Sequence, residues 1–412
     1  MITYLSKKQG NRLIFLCWLI YSSAYFGRLN YSASLVQIMV DLDITKAEGG
    51  MIASCFFFAY GIGQLVHGFL NRYYDPRWMI PISMVGSSLI NLLFPFFDNL
   101  VVLGALWIVN GFLQAILWST LVRTLSRYLD DKMMKRSILI MGTTTAVGTV
   151  SAYGISALFV SLLSWKITFF FSSVVMFTVA IVWFYAYHRL ICDIPERQTK
   201  VQLQQISGNK MGRVFVLLIA LICVFGVLNN LIRDGLTTWT PSIFSEMYHM
   251  PDSLSILLTL GLPLLSILGS SLCLKVHKKV KDHVYLCSIF FFVAMIFMVI
   301  MVLCMPLNSW VITLICFAVA ALMMASINNC ITSVVPMELR DMADSGSIAG
   351  ITNTFCYLGS TISTYALGAI ADSAGWNGAF YFLIALCALT LGICLVYIPL
   401  HHRLALDKNR KA

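Results

Sequence analysis

Apolar runs of about 20 residues or more recur from residue 13 to residue 399, interrupted by short polar connectors. A run of that length crosses the ~30 Å hydrocarbon core of a bilayer as an α-helix. Twelve such spans are predicted, near 13–39, 47–70, 78–97, 100–126, 137–162, 166–187, 214–244, 253–274, 284–304, 309–334, 345–370 and 376–399. No alternating-strand pattern occurs, so helices rather than a barrel satisfy the backbone in lipid. The fold class read from the pattern is all-α and integral to the membrane. The longest polar connector runs from His188 to Lys210 and contains Gln202, Gln204, Gln205, Ser207 and Gly208. It divides the chain into an N-terminal six-helix half (1–187), a cytoplasmic linker (188–210) and a C-terminal six-helix half (211–412).

Composition agrees, with 59% hydrophobic and only 11% charged residues; soluble domains carry roughly 25% charge. The formal charge of +10 does not indicate nucleic acid, because the cations sit in connectors. One side of the membrane holds Lys7, Lys8, Arg12, Arg72, Arg77, Arg127, Lys132, Lys135, Arg136, Arg189, Arg197, Lys200, Lys210, Arg213, Lys275, Lys278, Lys279, Lys281, Arg340 and the tail from Arg403 to Lys411; the other holds Lys46 and Lys166. The positive-inside rule then places both termini and the linker in the cytoplasm, as an even number of spans requires. Cysteines lie mostly within apolar runs (Cys17, Cys55, Cys223, Cys316, Cys394), and neither a metal-ligand spacing nor a disulfide framework is suggested. No cleavable signal is expected, because Leu13 opens a span longer than a signal-peptide core.

Arg28 and Arg233 are the two cations deep inside spans, and they lie 205 positions apart (233 − 28), about half the chain. The basic connector at Arg72 and Arg77 shifts by the same offset onto Lys278, Lys279 and Lys281, the mark of a duplicated six-helix unit. An arginine near the bilayer centre costs ~2.5–3.5 kcal/mol on insertion scales, so such residues usually serve function. Symmetry would face the two arginines toward one another across a central cavity. Asp234 is the one acid well inside a span, and residues adjacent on a helix point about 100° apart, so it is not expected to pair with Arg233.

The faces bearing the arginines are polar. Tyr21, Tyr25 and Arg28 share one face of the first span; Gly226, Asn230, Arg233 and Thr237 share one face of the seventh. A guanidinium fork suits phosphate or carboxylate, and tyrosine hydroxyls add donors. The second span adds Tyr60, Gln64 and His67, the last near the cytoplasmic end where packing is the expected role. The fourth adds Gln114 and Trp118, the tenth Asn328 and Asn329, and the eleventh Asn353, Tyr357 and Thr361. Any of these alone could equally join helices. Gly148, Gly154, Gly346, Gly350 and Gly359 are read as close-packing positions.

The segments YFGRLNYSASL (25–35), IRDGLTTWTPSIF (232–244) and DSAGWNGAF (372–380), with AYGIGQ (59–64), WSTLVRT (118–124) and YLGSTIS (357–363), resemble the organophosphate:phosphate antiporter family of the major facilitator superfamily. The resemblance covers both halves and implies the major facilitator fold, two pseudo-symmetric six-helix halves moving as a rocker switch. It implies that Arg28 and Arg233 bind phosphate, that Tyr21 and Tyr25 line the site, and that Tyr60, Trp118 and Tyr357 are cavity aromatics. Relatives such as the glycerol-3-phosphate transporter carry Lys where this chain has Gln64 and His where it has Thr145, so the site here is less cationic. Arg28-x-Asn30 followed by Ser32 and Ala33 also resembles anion:cation symporters of sugar acids.

The reading is thus a multi-pass cell-membrane carrier of a small organic anion, a phosphate ester exchanged for inorganic phosphate. Candidate site residues are Arg28, Arg233, Tyr25, Tyr21, Tyr60, Gln64, Trp118, Asn230, Thr145 and Tyr357. No metal, cofactor or nucleic-acid partner is expected, and the chain is expected to act as a monomer. With Arg28 and Arg233 expected to be unpaired, closing an empty site opposes two like charges, which favours obligate exchange. A carboxylate or sugar-acid symporter and a transporter-like sensor of sugar phosphate are the alternatives. With no P-loop, HExxH, nucleophile elbow or intramembrane carboxylate pair, an enzyme is not indicated.

Overall fold

A computed structural model describes residues 5–191, 213–280, 282–335 and 345–411, and among them every regular element is helical. In chain order these are α1 (Lys7–Ala24), α2 (Phe26–Leu42), α3 (Lys46–Leu70), α4 (Pro76–Leu93), α5 (Leu100–Tyr128), α6 (Asp131–Gly142) and α7 (Thr144–Leu162). There follow α8 (Trp165–Ile191), α9 (Arg213–Tyr248), α10 (Asp252–Thr259), α11 (Gly261–His277), α12 (His283–Cys304), α13 (Trp310–Asn329) and α14 (Ser345–Lys411). The connectors supply the helix starts. Ser6 and Gln9 form a capping box at α1, and Asp75, Asn99, Asp130 and Asp282 accept backbone N–H bonds at the first turns of α4, α5, α6 and α12.

Nine segments are long and apolar enough to cross a membrane among the described residues. The twelve predicted spans follow once three interruptions are recognised. The first span is α1 and α2, divided at Tyr25, and the eighth is α10 and α11, divided at Leu260. The eleventh and twelfth are the two parts of α14, which meet at Gly375, whose φ of 68° is a left-handed conformation that glycine adopts without strain. The fifth span is α6 and α7, divided at Thr143, and so starts earlier than expected, at Asp131. Polar residues at its start are tolerated because Asp130 caps it. The sixth span, α8, runs through Ile191 rather than ending at 187. Most of the expected linker, from residue 192 on, lies outside the described residues.

The chain divides into two compact units. The first comprises Met1–Ile44, Met51–Gln204 and Pro251–Leu260; the second comprises Thr45–Gly50, Gln205–Met250 and Gly261–Ala412. The two short outlying segments begin 206 positions apart (251 − 45), nearly the offset between the arginines.

In the first unit α4 packs on α5 and α8, and α1 and α2 pack on α7 and α8. A core of Leu13, Cys17, Ile20, Leu117, Met176 and Trp183 fills the space between α1, α5 and α8. In the second unit α9 packs along α14, and α13 lies against α11 and α12. Close approach needs glycine at particular points. A Cβ on Gly359 would overlap the Val227 carbonyl, and one on Gly148 would come 2.7 Å from the Ser22 carbonyl. Gly154 and Gly350 meet nothing within 4 Å, so those two are not the packing positions expected of them.

Both cations assigned to the sparsely charged side are locally neutralised. Lys166 pairs with Asp41 at 3.5 Å, and Lys46 with Glu246 at 3.2 Å and Asp372 at 3.8 Å. Asp372 also accepts from the backbone N–H groups of Lys46 (3.2 Å) and Ala47 (2.7 Å), capping α3 within the second unit.

Candidate functional site

Two polar clusters interrupt the apolar interior, one in each unit. In the first, Arg28 lies three residues beyond the division at Tyr25. Its guanidinium carbon sits 5.0 Å from the ring centroid of Tyr60, 5.5 Å from Phe56, 5.6 Å from Phe57 and 5.9 Å from Tyr25. Cation–π attraction is worth ~0.5–2 kcal/mol per ring according to desolvation, so α2 and α3 hold the charge by its faces. Tyr25 Oη donates to Thr145 Oγ1 at 3.0 Å, joining the broken first span to the broken fifth. Tyr21 meets Tyr25 edge-on at 5.8 Å and Trp118 at 4.8 Å. The structure therefore brings Arg28, Tyr25, Tyr21, Tyr60, Trp118 and Thr145 into one continuous cluster.

The carbonyl just before Arg28 is held by three amides. Asn110 Nδ2 (2.8 Å), Gln114 Nε2 (3.2 Å) and Asn91 Nδ2 (3.4 Å) all donate to Gly27 O. These amides are buried, and their convergence fixes the backbone that carries the guanidinium. Gln64, one turn beyond Tyr60, donates to the Ala115 carbonyl at 3.5 Å and thereby ties α3 to α5. His67 bonds Tyr74 Oη (2.7 Å) and the Phe112 carbonyl (3.2 Å), also joining helices.

In the second unit the expectation for Asp234 is overturned. Arg233 Nε donates to Asp234 Oδ1 at 2.7 Å, with side-chain exposures of 25% and 13%. The Cβ directions diverge as a helix requires, yet the long arginine side chain folds back over its neighbour. Ser360 Oγ (2.5 Å) and Asn230 Nδ2 (3.5 Å) donate to Asp234 Oδ2, and Asn230 also donates to Ser360 (3.2 Å). The carboxylate is thus fixed between α9 and α14. Asp234 occupies Nε, one edge of the guanidinium, and among the described residues the two terminal nitrogens have no protein hydrogen-bond partner. Tyr357 lies within electrostatic reach of Arg233. Sequence reasoning missed Phe56, Phe57, Asn91, Asn110 and Ser360. The i, i+4 spacing of Phe56 and Tyr60 was the available signal for the first.

A bundle of helices long and apolar enough to cross a membrane, with a half-buried arginine in each unit, has the architecture expected of a secondary transporter. The profile of the Major Facilitator Superfamily matches residues 17–364, and the chain belongs to that family. Its relatives and fold are those of transporters, not enzymes. The chain is 20% identical to the probable hexose phosphate transport protein of Chlamydia pneumoniae over 97% of this chain and 92% of that one. It is 22% identical to the glycerol-3-phosphate transporter of Bacillus subtilis (strain 168) over 90% and 88%. It is 29% identical to the membrane sensor protein UhpC of Escherichia coli (strain K12), a match that spans 24% of this chain and only 22% of the sensor. In fold it is similar to a bacterial homolog of the human lysosomal transporter Spinster, with a TM-score of 0.77 at 12% identity, covering 97% and 98% of the two chains.

Proposed function

We propose that this chain carries a small organic anion across the cell membrane, a phosphate ester in exchange for inorganic phosphate, by rocker-switch alternating access. Arg28, seated three residues past the division at Tyr25 among four aromatic rings, is the observation that carries the reading. Arg233 takes the equivalent position in the second half, with its terminal nitrogens available to an oxyanion. The fork of donors on a guanidinium matches phosphoryl oxygens. Full-length likeness to transporters named for hexose phosphate and glycerol-3-phosphate supports the ester. Secluding charged guanidinium groups from water costs free energy; a bound dianion offsets that cost, so the loaded carrier interconverts faster than the empty one. Asp234 lowers the cost for Arg233, so the preference for exchange is weaker than two unopposed arginines would give.

The test is counterflow. Proteoliposomes loaded with inorganic phosphate should take up labelled glucose 6-phosphate or glycerol 3-phosphate, and vesicles without internal anion should not. Uptake into anion-free vesicles driven by a proton gradient would refute exchange. A fluorescent protein fused to the C-terminus should fluoresce if that end is cytoplasmic.

One observation favours a second reading. The Asp234 carboxylate offsets Arg233, leaving less net positive charge for the cargo, which suits a monoanion such as a sugar acid moved with a cation. Competition decides between them: inorganic phosphate displaces cargo from the phosphate exchanger, and glucuronate displaces it from the sugar-acid symporter. Absence of any transport in vesicles, with ligand binding retained, would indicate a sensor instead.

A further inference from the structure

The outward surface of the first unit carries a groove that the anion cluster does not use. It lies between α1 and α8, encloses about 820 Å³, and is lined by apolar Phe15, Ile181 and Val182 and by Lys8, Arg12 and Arg189. Lys8, Arg12 and Phe15 follow i, i+4, i+7 on one face of α1; Val182 and Arg189 lie seven apart on α8. Each helix therefore presents apolar side chains toward mid-span and cations toward the same end, the end that the positive-inside rule assigns to the cytoplasm. Arg136 on α6 adds charge at the rim by donating to Asn11 Oδ1 at 3.3 Å, and Asn11 also lines the groove.

No acid lines the groove among the described residues, and two acids of the connectors at the same end cap helices. Asp130 caps α6 through the Met133 N–H at 2.7 Å, and Asp75 caps α4 through the Arg77 N–H at 2.9 Å. Among the described residues, Lys8, Arg12 and Arg189 take part in no ion pair. Orientation alone explains cations at this end. It does not explain why they converge from two facing helices on an apolar trough. A free phosphate has no use for the trough, and a zwitterionic headgroup brings an amine toward the cations. We infer that the groove holds an anionic phospholipid of the cytoplasmic leaflet, its phosphodiester between Lys8, Arg12 and Arg189 and its acyl chains along Phe15, Ile181 and Val182.

Native mass spectrometry of the full-length protein, titrated with phosphatidylglycerol and phosphatidylethanolamine of identical chains, tests this. The unaltered protein should bind phosphatidylglycerol at least ~10-fold more tightly, since each cation near an anionic lipid contributes about fivefold. The triple variant K8Q/R12Q/R189Q should lose that preference, and the charge-conserving K8R/R12K/R189K should keep it. Millimolar glycerophosphoglycerol, the soluble headgroup, should not displace the lipid. Should the triple variant fail to fold, R189Q and R12Q singly should each reduce the preference about threefold to fivefold. Equal binding of the two lipids to the unaltered protein, a preference that survives neutralisation, or displacement by the headgroup alone would each overturn the proposal.

Discussion

Arg233 and Asp234 are adjacent in sequence and bonded to each other, Nε to Oδ1, at 2.7 Å. The pairing makes the two halves chemically unequal. The arginine of the first half is surrounded by ring faces, and that of the second is oriented by a carboxylate that Ser360 and Asn230 hold in turn. A carboxylate on Nε fixes the guanidinium plane while also opposing an incoming anion.

Asp234→Asn should separate these two effects. If the proposed anion sits on Arg233, removing the neighbouring charge should strengthen binding by about 1 kcal/mol or more, since two charges 4 Å apart interact by ~1 kcal/mol even in water. The dissociation constant for inorganic phosphate, measured by calorimetry, should fall roughly fivefold or more. Turnover in counterflow should fall too, because Arg233 loses its orientation.

The aromatic shell of Arg28 makes a second test. Tyr60→Phe keeps the ring that stands 5.0 Å from the guanidinium carbon, and should transport nearly as well as the unaltered protein. Tyr60→Leu removes a contribution of ~0.5–2 kcal/mol and should weaken anion binding about twofold to thirtyfold. Arg28→Lys keeps the charge but loses the fork, and should abolish measurable exchange.

Asn110 is a positioning residue for Arg28. Asn110→Leu leaves the volume filled but removes the 2.8 Å bond to the Gly27 carbonyl, a loss of ~0.5–1.5 kcal/mol. Transport should drop several-fold while phosphate still protects the protein in thermal shift, at higher concentration. Unfolding without ligand should move by only a few degrees.

Gly359 and Gly350 differ in what surrounds them. Gly359→Ala drives a methyl group into the Val227 carbonyl, where backbone must shift, whereas Gly350→Ala meets open space. Thermal unfolding in detergent should fall markedly for Gly359→Ala, by the ~1–3 kcal/mol typical of overpacking, and stay level or rise for Gly350→Ala.

The body plan was legible because a bilayer demands long apolar segments, and all twelve predicted spans can be traced through the described helices. The face shared by Tyr21, Tyr25 and Arg28 could be read from helical spacing, since side chains close in sequence must lie close on a helix. Contacts that depend on tertiary approach could not be read. Asn91, Asn110 and Gln114 come from two helices and converge on Gly27 without any sequence pattern to announce it. The Arg233–Asp234 pair is not legible from backbone direction, because an arginine side chain with several rotatable bonds folds back over its neighbour. The divisions at Thr143 and Leu260 each adjoin a glycine, Gly142 and Gly261, and Pro263 follows the latter, but a reading by hydropathy alone passes over them; only the division at Tyr25 has no glycine or proline beside it. Gly148 and Gly359 pack as expected, Gly154 and Gly350 do not, and the surroundings of Gly346 lie outside what is described: spacing cannot say which side of a helix faces a neighbour and which faces lipid.

The divisions at Tyr25 and Thr143 differ in kind from the proline sites at Pro81 and Pro241 within α4 and α9, whereas that at Leu260 lies three residues before Pro263. A proline has no N–H, and its ring excludes the regular hydrogen bond permanently. Tyr25, Thr143 and Leu260 each retain an N–H that bonds the carbonyl three residues back, at 3.3, 3.0 and 3.0 Å. In the first and fifth spans that bond can be traded for the ordinary one four back with little net change, so those two own joints that can straighten and bend again, whereas in the eighth Pro263 has no N–H to offer the Thr259 carbonyl. Flexing of this kind needs no melted turn and exposes no orphaned amide to lipid.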